Sequence, residues 1–280
     1  MSNAVGFALL LSTLAGLSTT LGCLLSICIQ RPGPRFMSLI LGFSAGVMIL
    51  VSFGELLPEG VEETGFALAY LAFFGGMAVM FLIDILIPHI HMGEHHDAGT
   101  EARVCPLPEP EERGRHRRHH PGGWRGEVPT GRLLKTGLLV ALGIGVHNFP
   151  EGITTFVGAV QDPALGIAIA IAIMLHNIPE GIAVSAPVYA ATGSRGKALL
   201  WSALSGIAEP VGAVLAAVAL LPFLNPTVLG FVLAAVAGIM VFISLDELIP
   251  VACSFCEEHL SILGVIAGMI VMALSLWVLR

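Results

Sequence analysis

Charged side chains are scarce: Asp, Glu, Lys and Arg make up 12% of the 280 residues, about half the share of an ordinary soluble domain. That shortage excludes a water-facing globular surface of the usual kind. Hydrophobic residues make up 55% and the mean hydropathy is +0.87. Period-two alternation is also missing, which excludes the strands of a membrane barrel. The apolar runs recur along the whole chain, which excludes a secreted protein with one removable signal. Five cysteines do not suggest a disulfide framework. Cys23 and Cys28 lie in an apolar stretch and read as small buried hydrophobes. Cys253 and Cys256 form a single C-x-x-C without a second pair, which is weak as a metal motif.

What is present is a series of long apolar segments. A hydrocarbon core of ~30 Å takes about 20 apolar residues per helical crossing. That ruler gives eight spans: 4–29, 36–57, 66–88, 133–158, 164–190, 197–221, 227–250 and 259–279. The fold class is an all-α integral membrane protein embedded in a lipid bilayer. Lys and Arg mark cytoplasmic loops, and twelve of the thirteen basic residues fall in alternate loops on one face, the exception being Arg280. The opposite loops carry Glu59, Glu62, Glu63 and Asp162. Both termini are therefore expected outside the cytoplasm, and Cys253 and Cys256 on its reducing side. The basic residues serve as topology markers and call for no nucleic-acid partner.

The chain divides into spans one to three (1–88), a loop (89–132) and spans four to eight (133–280), within one transmembrane domain. The loop is rich in His, Arg, Glu, Pro and Gly and holds seven of the ten histidines. It buries too little apolar surface to fold alone and reads as disordered. Its histidines suit metal handling, though a solvated linker has the same composition. Elsewhere the sequence repeats itself. S52-F-G-E55-L-L-P58 in span two matches S244-L-D-E247-L-I-P250 in span seven, and these spans run in opposite directions. H147-N-F-P-E-G in span four matches H176-N-I-P-E-G in span five, again in opposite directions. Such inverted repeats, here spans one to three against six to eight with four and five central, are frequent in secondary transporters.

The twin motif carries the chemistry. An ionised carboxylate at the centre of a membrane helix costs at least ~2.5–3.5 kcal/mol, and Glu151, Glu180, Glu209 and Glu247 have no intramembrane Lys or Arg to pair them. A divalent cation would neutralise them. His147 and Glu151 stand four apart with Asn148 beside the histidine, and His176, Asn177 and Glu180 repeat the spacing, so each trio is expected on one helix face. Pro150 and Pro179 free the carbonyls of Val146 and Leu175. Imidazole, amide and carboxylate suit zinc, iron, manganese, cobalt, nickel or cadmium; absent thiols argue against Cu(I). The carboxylates would accommodate two ions sharing a bridging Glu. Both motifs lie about half a span from the turn near 161–163, which places them near the bilayer midplane.

Auxiliary groups extend the path. Met48, Ser52 and Glu55 form a stripe at the outer end of span two, and Asp84, His89, His91, Asp246 and Glu247 gather toward the cytoplasmic side. The absence of H-E-x-x-H argues against an intramembrane metalloprotease. The absence of a P-loop removes ATP as the driving force. No organic cofactor is expected. A carrier, a channel-like conduit and a metal sensor remain, of which the inverted repeat favours the carrier.

"HNFPEG", "HNIPEGIAVS" and "GIAEPVGA" resemble the signature helices of the ZIP (Zrt/Irt-like protein) divalent metal transporters, in particular bacterial ZupT-like and GufA-like members. The resemblance spans essentially all eight helices. It implies zinc uptake toward the cytoplasm across a bacterial inner membrane, without enzymatic activity. By position it implies His147, Asn148, Glu151, His176, Asn177, Glu180 and Glu209 as ligands of a binuclear centre, with Met48 contributing. Some relatives carry Asp where this chain has Asn177. The resemblance further implies a homodimer and a sliding movement of one helix bundle against another.

Overall fold

The computed structural model describes residues 2–29, 33–86, 130–255 and 258–279, and among these there is no strand. Helix α1 is Ser2–Ile29; α2 is Pro34–Val51, which runs through a π-helical turn at Ser52–Leu56 into α3, Leu57–Thr64. Then come α4 (Phe66–Leu86), α5 (Thr130–Gln161), α6 (Pro163–Thr192) and α7 (Arg195–Leu215). Helix α8, Pro226–Ile243, runs through a further π turn at Ser244–Leu248 into α9, Ile249–Ser254, and α10 is Glu258–Leu279. With each π turn counted inside its span, these are the eight expected spans. Seven are long and apolar enough throughout to cross a membrane; the eighth, α5, is the helix carrying the first His-Asn-Pro-Glu motif. It begins at Thr130, three residues before the expected start. Most of the 89–132 segment, with His89 and His91, lies outside the described residues, as does Cys256.

The helix ends follow from local chemistry. Asp162 alone separates α5 from α6, and its carboxylate accepts the Ala164 N–H at 3.0 Å. Helix α6 ends at Gly193, whose φ of 62° a side chain would disfavour. Ser194 then caps α7 by accepting the Lys197 N–H at 3.3 Å, and Asn225 caps α8 through Val228 at 3.0 Å.

Packing sorts the helices into two bundles. One is α1, α5, α6 and α7; the other is α2 with α3, α4, α8 with α9, and α10. They meet where α6 lies on α2 and α10, and where α5 lies on α8. The polarity is that of a membrane solvent. Buried positions include many serines, among them Ser12, Ser38, Ser44, Ser202 and Ser261, while Phe66, Leu71, Phe74, Val218 and Trp277 are exposed. Small residues bring backbones together: Gly16 and Gly206 each face the other's carbonyl so closely that no side chain would fit.

The inverted repeat is visible in these contacts. Gly46 sits on the Val265 carbonyl and Gly238 on that of Phe73; Gly76 sits on Ala235 and Gly268 on Phe43. Each pair maps onto the other by a shift of 192 residues, the shift that relates Ser52, Glu55 and Pro58 to Ser244, Glu247 and Pro250. Both serines bond back into their helices, Ser52 Oγ to the Met48 carbonyl at 2.7 Å and Ser244 Oγ to that of Met240 at 2.8 Å. These bonds stand at two of the three π turns among the described residues, the third being Ala216–Leu220 after α7; at Ser52 and Ser244 a side chain inserted into the backbone ladder accompanies a change of register.

Candidate metal site

Helices α5 and α6 run antiparallel and side by side, so their motifs meet head to tail. The Nε2 of His147 stands 3.2 Å from Glu180 Oε2, and the Nε2 of His176 stands 3.2 Å from Glu151 Oε1. Each histidine is thus paired with the other motif's carboxylate. The asparagines turn away from this seam, because one residue along a helix is a rotation of about 100°. Asn148 Nδ2 donates to the Ser205 carbonyl of α7 at 3.2 Å, and Asn177 Nδ2 donates to the Ala15 carbonyl of α1 at 3.1 Å. Asn177 Nδ2 also donates to Glu209 Oε1, which ties α7 into the site. The expected single face per motif is therefore divided between two neighbours: His and Glu look across the α5–α6 seam, Asn looks toward α1 or α7.

All seven side chains are essentially inaccessible, none more than 1% exposed. Each nevertheless keeps one buried atom without a hydrogen-bond partner: Nδ1 of His147 and His176, Oδ1 of Asn148 and Asn177, Oε2 of Glu151 and Glu209, and Oε1 of Glu180. With the Nε2–H groups donating to carboxylates, all seven of these atoms are acceptors. A buried polar group left unmet costs about 1–3 kcal/mol, so a cation that meets several at once is strongly favoured. The donors are nitrogen and oxygen without sulfur, a set suited to zinc and its first-row neighbours. Among the described residues no three His, Cys, Asp or Glu side chains already converge on one point at ligand spacing; the histidines are held by their carboxylate partners instead. A cation bound by these histidines and carboxylates would require the His–Glu pairs to open.

The auxiliary residues are placed less uniformly. Met48 and Ser52 are fully buried, and the Ser52 hydroxyl is used by its own helix. The π turn at Ser52–Leu56 breaks the regular spacing on which the Met48–Ser52–Glu55 stripe was read. Glu55 is half-buried, and with Glu62, Glu63 and Asp162 it lies within electrostatic reach of Glu59, so one rim of the molecule is strongly acidic. Asp84, Asp246 and Glu247 are also half-buried. Glu247 is near enough for its charge to act on His147. Cys23 is a buried free thiol and Cys253 Sγ stands 3.6 Å from Ser261 Oγ.

The family model described as ZIP Zinc transporter matches residues 87–276. The chain belongs to the ZIP family. Relatives of similar length extend the ZIP likeness to nearly the whole chain. A zinc transporter ZupT of Campylobacter jejuni is 47% identical over 96% of this chain and 95% of its own length. A zinc transporter ZupT of Corynebacterium efficiens is 46% identical, covering 98% and 97%, and one of Chlorobium phaeovibrioides is 49% identical, covering 97% of each. ZIP proteins are membrane transporters, not enzymes.

Two features of this site were not read from the sequence. Ser44 of α2 donates to the carbonyl of His176 at 3.3 Å, a bond between the two bundles at the centre of the site. The Ala15 and Ser205 carbonyls hold the asparagines, and carbonyls leave no sequence signature. The expected repeat of span one in span six is carried by Ser12, Leu14, Gly16 and Gly22, which match Ser202, Leu204, Gly206 and Gly212 at a constant shift of 190.

Proposed function

We propose that this ZIP protein carries zinc across the membrane toward the cytoplasm, through a site made of His147, Asn148, Glu151, His176, Asn177, Glu180 and Glu209 near the bilayer midplane. The carrying observation is the set of seven buried acceptor atoms, one from each of these residues, around two reciprocal His–Glu pairs. Iron, manganese, cobalt, nickel and cadmium meet the same donors. The three carboxylates together exceed the charge of one divalent ion, which supports a centre able to take a second.

The acidic rim of Glu55, Glu59, Glu62, Glu63 and Asp162 gathers hydrated cations from outside a bacterial inner membrane. The ion exchanges water for side-chain donors as the His147–Glu180 and His176–Glu151 bonds open. It leaves on the cytoplasmic side past Glu247, Asp246 and Asp84, toward the histidines of the 89–132 segment, with both termini on the opposite face. Movement of the α1–α5–α6–α7 bundle against the other, along the seam of α6 with α2 and α10, exposes the site to each side in turn. A two-bundle body with inverted repeats supports this carrier reading over an open conduit.

Zinc and cadmium uptake into proteoliposomes of the purified protein tests the reading, at two imposed pH gradients and with Glu180→Ala as comparison. Saturable uptake by the wild type that the substitution abolishes is expected. Equal flux in both proteins, or uptake that never saturates, refutes a carrier working through this site.

A further inference from the structure

Helices α1 and α7 are two copies of one element, and their contacts repeat in kind. Gly22 lies against the Ile178 carbonyl as Gly212 lies against that of Phe149. The Ala15 carbonyl accepts Asn177 as the Ser205 carbonyl accepts Asn148. Each pair obeys the 190-residue shift between α1 and α7 together with the 29-residue shift between the motifs. On that register the counterpart of Glu209 is Thr19. The backbone agrees: Gly152 sits on the Glu209 carbonyl, and Gly181 sits on the Thr19 carbonyl.

The two residues differ in chemistry. Glu209 gives Asn177 a carboxylate. Thr19 is fully buried, and its hydroxyl oxygen has no hydrogen-bond partner. A helical threonine hydroxyl ordinarily returns to a carbonyl of the preceding turn, as Thr13 does to Leu9 at 2.7 Å and Thr192 to Val188 at 2.8 Å; the buried Thr155 of α5 shares the lack of a partner, but only Thr19 stands at the counterpart of Glu209. Asn148 is the counterpart of Asn177 on this register, and its carboxamide oxygen is likewise without a partner.

We infer that Thr19 is a further member of the ion site and sets its asymmetry: its hydroxyl supplies a neutral oxygen to the half built on Asn148, where Glu209 supplies a carboxylate to the half built on Asn177. This rests on the reading that the ion is carried at the twin motif. A carboxylate at both positions would raise the central charge to four, which two divalent ions neutralise and hold.

The test is equilibrium cadmium binding to the purified full-length protein in detergent, with bound metal counted by elemental analysis. Thr19→Glu is expected to retain one more tightly held cadmium per chain than the wild type and to slow transport turnover. Glu209→Thr is expected to weaken binding about ten-fold or more, equivalent to about 1.4 kcal/mol. The double variant T19E/E209T, which moves the carboxylate to the other half, is expected to recover most of that loss. Thr19→Val keeps the shape and removes the hydroxyl; it is expected to weaken cadmium binding about three-fold with unchanged metal-free thermal unfolding, about 0.65 kcal/mol on the same scale. Where Thr19→Glu does not fold, Thr19→Val decides. Wild-type binding in Thr19→Val, or no gain in Thr19→Glu and no recovery in the double variant, overturns the inference alone. A wild type that binds no cadmium overturns the site reading and this inference with it.

Discussion

Removing His147 and Glu180 together should cost the metal-free protein less than the two single removals added. Their Nε2–Oε2 separation is 3.2 Å, and both side chains are at most 1% exposed. A hydrogen bond to a charged group contributes about 1.5–3 kcal/mol, and solvent screening is minimal at this depth. His147 and Glu151, by contrast, share a helix and a four-residue spacing, which by itself is worth about 0.2–0.5 kcal/mol. A double-mutant cycle on alanine variants separates the cases. The cycle His147/Glu180 should return a coupling of about 1.5–3 kcal/mol, and so should His176/Glu151. The cycles His147/Glu151 and His176/Glu180 should return about 0.5 kcal/mol or less. Thermal unfolding in detergent with a metal chelator is the assay; about 2–4 °C accompany each kcal/mol in a chain of this size, so the cross-helix couplings should read as several degrees. Equal coupling within and between the motifs would refute the reciprocal pairing and return the site to two independent helix faces.

Other consequences are testable by simpler means. Asn177→Asp removes the donor to Glu209 and sets two carboxylates together, so the metal-free protein should lose about 3–5 kcal/mol while cadmium restores much of its thermal stability. Gly152→Ala places a methyl on the Glu209 carbonyl; overpacking of about 1–3 kcal/mol should lower the unfolding temperature, whereas Gly6→Ala, in open surroundings, should not. Zinc binding should weaken on going from pH 7.5 to 5.5, since protons and metal compete for the same carboxylates and imidazoles; binding isotherms at the two pH values measure it.

Much of the fold was legible because the bilayer imposes a crude, strong code. Apolar length set the spans, and charge placement set their direction on paper. The twin His-Asn-Pro-Glu motif stood out because polarity in an apolar run is costly. What escaped was rotation and partnership. A four-residue spacing puts His147 and Glu151 on one face, but it does not say that His147 will meet Glu180 while Asn148 faces Ser205. The π turns at Ser52 and Ser244 insert extra residues into helices whose composition reads as ordinary. Thr19 was passed over because a threonine in a membrane helix is unremarkable; its significance lies in the α1–α7 repeat, which survives mainly in glycines and serines. The sequence contrast between Thr19 and Glu209 became readable only once packing aligned the two helices.

X-ray absorption at the zinc edge of the zinc-loaded protein addresses the central claim most directly, because it reports the ion's own neighbours. The account predicts a shell of nitrogen and oxygen only, with imidazole scattering that disappears in the His147→Ala/His176→Ala variant. Sulfur in the shell, or an imidazole signal unchanged in that variant, would place the bound ion elsewhere and contradict it.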